Sequence, residues 1–204
     1  MTVNDLPESL RQAWPAMREQ RLSETSVPAP VRAVSLPKPG GGTRMLGMPT
    51  VLDRLIAQAI LQVFVPIFDP DFSDRSSGFR QGRSAHQALE QACSDMAEGS
   101  RWVVPSALEK CFDGVNQDRG MRRVARTVKD KRRLRRIRRS LNAGSRQAGV
   151  VSQREAGMPQ GSPLSPLFAN GLLDAREKER ESRGHRYCRS ADEANVYVQS
   201  KRAG

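Results

Sequence analysis

The stretch RYCRSADEANVYVQ, residues 186–199, decides the fold that we predict for this chain. Residues 186–189 and 195–199 are predicted to form two short strands, joined by the tetrapeptide SADE at 190–193. This tight hairpin presents two adjacent acids, Asp192 and Glu193. Because Mg²⁺ prefers carboxylate oxygens, the hairpin is a candidate site for a divalent metal ion.

Three longer blocks precede the hairpin. They read SLPKPGGGTRMLGMPTVLDRLIAQAILQ at 35–62, SSGFRQGRSAHQAL at 76–89 and GMPQGSPLSPLFAN at 157–170. In this order and spacing, the blocks and the hairpin resemble the reverse transcriptase encoded by bacterial group II introns, from about residue 31 to the last residue. The resemblance implies an α+β fold with the fingers and palm of a right-hand polymerase. It also implies RNA-directed DNA polymerisation with Mg²⁺, with an RNA template or intron RNA and a DNA primer as partners.

The palm strand and the hairpin depart from the family pattern. The family reads V-V-D-L-D-L-E-K-F/C-F-D and Y-A-D-D, whereas this chain has VVPSALEKCFD at 103–113 and SADE at 190–193. Ala107 stands where the resemblance places the first catalytic aspartate, and Pro105 replaces another aspartate. Ser190 replaces the tyrosine of the hairpin, and Glu193 replaces its last aspartate. Asp192 and Glu193 remain as the candidate catalytic and metal-binding residues.

These changes predict an inactive copy. Nucleotidyl transfer uses two metal ions about 3.5–4 Å apart, and an alanine offers no ligand to either ion. Glu193 keeps the charge but moves its carboxylate by one methylene, in a kind of site that requires placement within about 0.5 Å. Glu109 is on the same face of an extended strand as Ala107, about 6.6 Å further along. The alternative is that the Glu109 carboxylate replaces the metal ligand missing at position 107.

Four further residues match nucleotide-binding positions of the family. The resemblance implies that Lys38 and Arg44 hold the incoming triphosphate, the lysine as a point charge and the arginine as a bidentate fork. It implies that Gln160 touches the sugar and that Phe112 is the bulky gate that excludes a ribose 2′-OH. Without the family match, Lys38 and Arg44 would be interpreted as surface charges and Phe112 as a core residue.

Basic residues supply the predicted nucleic-acid surface. The resemblance places Arg80 and Arg83 along the template track, and the alternative is a capped loop beside a helix. The segment KDKRRLRRIRRS at 129–140 has eight basic residues in twelve, and its arginines are predicted to contact RNA phosphates. Of the six arginines in this segment, the four assigned to these contacts are Arg132, Arg133, Arg135 and Arg136. A solvated helix face and a poorly packed helix are the alternatives.

Composition agrees with a polyanionic partner. The chain has 204 residues, a net charge of +12 and a pI near 10.7. The positive charge favours a nucleic acid as the partner. A membrane is disfavoured, because we expect no apolar run to reach the roughly 18 residues needed to span a bilayer. The N-terminus lacks the pattern of a secretory signal. Cys93, Cys111 and Cys188 are odd in number and scattered, so we predict reduced thiols in the bacterial cytoplasm.

The predicted organisation is a leading helix and linker over residues 1–30, followed by a reverse transcriptase domain of interleaved fingers and partial palm over 31–204. Pro15 interrupts the leading helix. Pro66 ends a helix that begins after Thr50, and Pro105 ends a strand over 101–104. A helix from Ser84 to Gly99 is predicted to carry one apolar face, and further helices are predicted over 118–129, 130–141 and 165–183. The predicted face is formed by Ala85, Leu89, Ala92 and Met96.

Three functional hypotheses compete. The first is a reverse transcriptase domain that acts with a separate chain supplying a thumb and a maturase region, because we expect no room for a thumb before Gly204. The second is an RNA-binding, maturase-like remnant without catalysis. The third is a decayed gene fragment, which the changes at Pro105, Ala107 and Ser190 favour. An uncovered strand edge would require a partner or promote aggregation.

Overall fold

The computed structural model describes residues 2, 4–38, 40–107, 116–152, 157–200 and 202, except for the side chains of Arg44 and Ala107. The described helices are α1 (Leu6–Leu22), α2 (Val51–Phe68), α3 (Ala85–Ala97), α4 (Gln117–Thr127), α5 (Lys131–Leu141) and α6 (Leu164–Ser182). The strands are β1 (Val31–Pro37), β2 (Thr43–Met48), β3 (Trp102–Ala107), β4 (Ser145–Gln147), β5 (Val150–Ser152), β6 (Arg186–Ser190) and β7 (Glu193–Val198). This mixture confirms the predicted α+β class.

The chain forms two compact units that interleave along the sequence. The first contains residues 1–62 and 112–165, and the second contains residues 63–111 and 166–204. In the first unit, the sheet has the order β2-β1-β4-β5. The glycine-rich stretch PGGG at 39–42 predicts a hairpin between strands at 31–36 and 43–46, and strands β1 and β2 do pair antiparallel, with Leu36 opposite Arg44. Strand β4 joins β1 in parallel and pairs antiparallel with β5.

Two helices continue through a proline that was predicted to interrupt or end them. Helix α1 runs past Pro15 to Leu22, and α2 runs past Pro66 to Phe68. Proline removes one backbone donor but can remain in a helix whose other contacts compensate. The start of α2 matches the prediction, because the Asp53 amide donates to Thr50 Oγ1 at 3.1 Å and the Thr50 hydroxyl donates to Asp53 Oδ2 at 2.6 Å.

The continuation of α2 also corrects the expectation that no apolar run is long enough to span a membrane. Together with the following 3₁₀ turn, the segment Val51–Asp71 has 21 residues and a window of mean hydropathy 1.7. By length and composition alone, such a segment could cross a bilayer. Core helices pass the same test, so the feature is weak evidence for a membrane.

The second unit contains a three-stranded sheet of order β3-β7-β6. Strand β3 continues through Pro105 to Ala107, so the predicted stop at that proline is wrong. Within the described residues β3 is an edge of this sheet, and proline is tolerated on edge strands because one side of the strand has no neighbouring strand. The other outer strand, β6, is bonded to a loop: Arg189 N–H donates to Arg75 O and Ser77 N–H to Arg189 O, both at 2.9 Å.

Helix α3 packs on this sheet with a different face from the one predicted. Leu89 is 63% exposed and Met96 is 46% exposed, whereas Ala92 packs against Cys188 and Tyr197. Asp95 is also buried on the packing side, because Arg75 Nη1 donates to its Oδ2 at 2.7 Å. A buried charge with a partner therefore lies where an apolar residue would be expected. Helices α4, α5 and α6 agree with their predicted ranges to within a few residues.

Candidate functional site

The acidic turn is tighter than predicted. Strand β6 ends at Ser190 and β7 begins at Glu193, with these two residues paired, so the turn consists of Ala191 and Asp192. Ala191 has φ 58°, a left-handed conformation that is costly for a residue with a Cβ. Asp192 and Glu193 are both exposed, and Glu193 is the first residue of a strand.

The register of β3 against β7 identifies what faces these acids. Ala107 is the partner of Glu193, and Pro105 is the partner of Asn195. Directly opposed residues of an antiparallel pair project from the same face, with Cβ atoms about 4.5–5.5 Å apart. An acid at position 107 would therefore share a face with Glu193, but the chain has an alanine there.

The described residues do not supply ligands for a pair of Mg²⁺ ions. Among the residues that the structure describes, no group of three or more His, Cys, Asp or Glu side chains is positioned to hold a metal ion. Asp192 and Glu193 supply two carboxylates, and the strand opposite supplies none at position 107. Glu109, the alternative ligand, lies outside the described residues.

A buried charge network holds the hairpin that bears the acids. Arg189, only 2% exposed, forms an ion pair with Glu177. Its guanidinium also donates to Ser76 Oγ, to Asn170 Oδ1 at 3.0 Å and to the carbonyl oxygen of Ala191 in the turn. Burial raises the pKa of Glu177, and the Arg189 charge opposes that rise. The burial of these two residues is not evident from the sequence, because charged side chains are rarely buried unless they are paired.

The loop before α3 contacts the same turn. A Cβ on Gly78 would lie 1.9 Å from the Ala191 backbone nitrogen, so no larger residue fits there without movement. The Gly78 carbonyl accepts from Asn170 Nδ2 at 3.0 Å. Gly78, the first residue of the GFRQ segment, thus packs directly against the backbone of the acidic turn.

Two titratable groups on β6 are buried beside the network. The Tyr187 hydroxyl lies 2.7 Å from Ser73 Oγ and donates to Glu181 Oε1 at 3.2 Å. Burial raises the pKa of Tyr187 well above its ordinary value. Burial likewise raises the pKa of the Cys188 thiol, so this cysteine is neutral at physiological pH.

The residues predicted to bind the nucleotide belong to the first unit, so far as they are described. Lys38 is exposed, and its carbonyl accepts from Gly41 N at 3.1 Å in the β1–β2 turn. Arg44 is paired through its backbone in β2, and Phe112 lies outside the described residues. Gln160 is partly buried in the turn before α6. Its neighbour Gly161 is so close to β2 that a Cβ would lie 2.9 Å from Gly47 O, which brings the Gln160 turn against the hairpin.

The two loop arginines have different environments. Arg80 is buried, and it donates to Asp69 Oδ1 at 2.9 Å and to the carbonyls of Ser73 and Ser76 at 2.6 and 2.9 Å. These contacts favour the alternative of a structural loop residue over a template contact. Arg83 is half-buried and pairs with Asp74.

The arginines of α5 lie on a surface of the first unit. Arg132, Arg133 and Arg135 are exposed, and Arg136 is half-buried. Ile137 and Leu141 supply the buried side of the helix. The Asp130 side chain accepts from the backbone N–H of Arg132 at 2.9 Å and begins the helix.

Residues 36–203 match the family described as "Reverse transcriptase (RNA-dependent DNA polymerase)". The chain belongs to this family, and within it to the type encoded by group II introns. It is 35% identical over 162 residues to Protein YkfC of Escherichia coli (78% of this chain, 42% of that protein). It is 34% identical over 155 residues to the group II intron-encoded protein LtrA of Lactococcus lactis (76% of this chain, 26% of LtrA). The chain thus spans less than half of the length of these relatives.

Solved structures share the fold. A chain of a partial Cas6-RT-Cas1–Cas2 complex superposes with a TM-score of 0.61 at 26% identity, covering 98% of this chain and 34% of that one. Apo telomerase from Candida tropicalis, truncated from its C-terminal domain, superposes with a TM-score of 0.63 at 12% identity, covering 85% of this chain and 44% of that one. The telomerase likeness concerns the fold alone. Reverse transcriptases generally use Mg²⁺, so the missing carboxylate at position 107 bears directly on metal binding by this chain.

Proposed function

We propose that this chain is a reverse transcriptase domain that binds RNA and does not polymerise DNA. The single observation that carries the loss of polymerisation is the pairing of Ala107 with Glu193. Because two metal ions stabilise the attacking and leaving oxygens of the transfer, a missing ligand removes several kcal/mol of transition-state stabilisation, on the order of a thousandfold or more in rate.

Primer extension tests the loss of catalysis. The purified chain, with an RNA template, a DNA primer, the four dNTPs and Mg²⁺ or Mn²⁺, should extend no more primer than a mixture without enzyme. A catalytically active reverse transcriptase assayed on the same template is the positive control. Clear dNTP-dependent extension by the chain would refute the proposal.

Several features support RNA binding. The family is described as RNA-dependent, and relatives carry names such as group II intron-encoded protein and nuclear intron maturase. The net charge is +12, and exposed arginines concentrate on α5. Phosphate contacts release counterions, so affinity for RNA should fall steeply with salt.

A salt titration with a matched control tests the α5 surface. Replacing Arg132, Arg133, Arg135 and Arg136 by Gln should flatten the slope of log affinity against log salt by up to about three units, at about 0.7–0.9 per phosphate contact. Replacing the exposed arginines of α4 by Gln, which are Arg119, Arg122 and Arg126, should change the slope less. An unchanged slope in the α5 variant would favour a merely solvated helix face.

The decayed gene fragment is the second candidate, favoured by the changes at Pro105, Ala107 and Ser190. A cooperative thermal transition without RNA binding at roughly 50 mM salt would leave this candidate standing, because nonspecific binding is strongest at low salt. A separate chain supplying thumb and maturase regions stays a prediction. The bacterial cytoplasm likewise stays a prediction.

A further inference from the structure

A basic cleft lies in the first compact unit, between the C-terminal end of α1 and the helix α5. Its cavity has a volume of about 270 Å³, and its charged lining has six arginines and two carboxylates, an excess of four positive charges. Ser26 and Leu22 complete the lining. The arginines are Arg21, Arg132, Arg133, Arg135, Arg136 and Arg139, and the acids are Glu24 and Asp130.

The two acids are already occupied by three of the arginines. Glu24 Oε1 accepts from Arg135 Nη2 at 2.7 Å and lies 3.4 Å from Arg132 Nε. Asp130 Oδ2 lies 3.1 Å from Arg133 Nε, while Asp130 Oδ1 accepts from backbone N–H groups at the start of α5. The two carboxylates of the lining therefore pair with Arg132, Arg133 and Arg135, and the remaining arginines are Arg21, Arg136 and Arg139.

Of these three, Arg139 donates to the Glu24 carbonyl oxygen, which leaves Arg21 and Arg136 without a carboxylate of the lining. Arg136 Nη2 donates a long hydrogen bond of 3.4 Å to Ser26 Oγ. Arg21 Nη1 is buried and has no hydrogen-bond partner among the described residues. Burial lowers the pKa of both guanidinium groups, the Arg136 charge lowers the pKa of Arg21 further, and Asp53 opposes these effects. A buried charged donor without an acceptor carries its full desolvation penalty, which an anion would relieve.

We propose that this cleft binds a phosphate group of an RNA strand between Arg21 and Arg136. The phosphate oxygens would accept from the fork of Arg136 and, once an outward movement of the side chain exposes it, from the unpaired Arg21 Nη1. Guanidinium groups suit this geometry. The assignment to RNA, as opposed to a free phosphate ion, rests on the proposed function. The anion site itself rests on the cleft.

Thermal unfolding in two salts tests the anion site. Sodium phosphate and sodium chloride are compared at pH 7 and equal ionic strength, and phosphate should raise the Tm of the wild-type chain by a few degrees, since a ligand that binds only the folded state stabilises it. The Arg136→Leu variant should show no such rise in Tm with phosphate. Its Tm in chloride should not fall, because the substitution removes one of two neighbouring positive charges, Arg21 and Arg136. Arg126→Leu removes one charge from an exposed position on α4 outside the cleft and should keep the rise. Should Arg136→Leu fail to fold, Arg136→Gln replaces it.

A second arm measures binding to a structured RNA. Arg136→Leu should weaken binding by roughly three- to tenfold at low salt and reduce the salt slope by about 0.7–0.9, the contribution of one phosphate. Absence of a phosphate-specific rise in wild type, or an equal rise in Arg136→Leu, overturns the cleft. If Arg136→Leu does not weaken RNA binding, the proposal that the cleft binds an RNA phosphate is wrong, and the proposed function is unaffected. A phosphate-specific rise without RNA binding by wild type overturns the assignment to RNA and the proposed function together.

Discussion

Ala107 and Glu193 are direct partners across β3 and β7, so the position of the missing carboxylate is fixed by backbone pairing and not by sequence similarity alone. The scaffold that would align an acid with the hairpin is present, while the acid is absent. The chain thus keeps the strand pairing of the palm and lacks one of the carboxylates expected in its site.

Restoring that acid should restore metal binding. Ala107→Asp places a carboxylate on the face of Glu193, so saturable binding of Mn²⁺ should appear in electron paramagnetic resonance titrations where the wild type shows none. Ser106→Asp adds the same charge one residue earlier, on the opposite face of the strand, and is the matched control. Equal binding by both aspartate variants would show that charge, and not register, attracts the ion.

Breaking the buried ion pair should be costly. Arg189→Met leaves Glu177 buried without its partner, so the free energy of unfolding should fall by about 3–5 kcal/mol. Adding Glu177→Leu should recover much of the loss, because replacing both charges by apolar groups is often close to neutral. Urea denaturation measures both, and a loss below about 1 kcal/mol in the single variant would contradict the buried pair.

The Gly78 contact should tolerate no side chain. Gly78→Ala places a Cβ against the Ala191 nitrogen and should destabilise the fold by about 1–3 kcal/mol, the usual range for overpacking. Gly40→Ala is the control, because a Cβ there meets nothing within 4 Å and φ is ordinary. Similar Tm values for the two variants would argue against the close approach.

Stability should decline at alkaline pH. The folded-state pKa of Cys188 and of Tyr187 is raised by burial, so the unfolded chain releases these protons at lower pH than the folded chain does. Unfolding therefore becomes easier above about pH 8.5 for the thiol and above about pH 10 for the phenol. The free energy of unfolding should fall by up to about 1.4 kcal/mol per pH unit for each group.

Tyr187→Phe separates the two contributions. It should lower stability at pH 7 by about 1 kcal/mol, through the lost contacts with Ser73 and Glu181, and it should flatten the decline above about pH 10. Urea denaturation from pH 7 to pH 11 gives both quantities. A decline as steep as that of the wild type would assign the alkaline transition to other groups.

Local patterns predicted elements better than they predicted boundaries or burial. The hairpins, α2 and the start of α3 follow from turn and capping chemistry that acts within a few residues, such as the contacts of Ser84 with Gln87. The predicted ends at Pro66 and Pro105 were wrong, because packing and edge position, both tertiary properties, decide whether a proline ends a helix or strand. The buried face of α3 was missed because the Asp95 carboxylate is paired with Arg75 and Arg186, which both lie outside the helix.

The candidate site shows the same division. Asp192, Glu193 and the alanine at position 107 were predictable from motifs, and their pairing was not. Arg189 could not be recognised as a positioning residue, because its partners Glu177, Ser76 and Asn170 come from three separate segments. The cleft at Arg21 and Arg136 was equally hidden, since it joins two helices more than a hundred residues apart.

The backbone bonds that join β6 to the loop at residues 75–77 have a kinetic consequence. Ser76 and Arg189 are 113 residues apart, so their contact closes a very long loop. Contacts of such separation form late, after local hairpins and helices, because the entropy of loop closure opposes them. In refolding experiments, fluorescence from Tyr187 and Tyr197 should therefore change after most helical circular dichroism has returned. The contacts that hold the acidic turn against residues 76–78 would then be among the last to form, after the local hairpin itself.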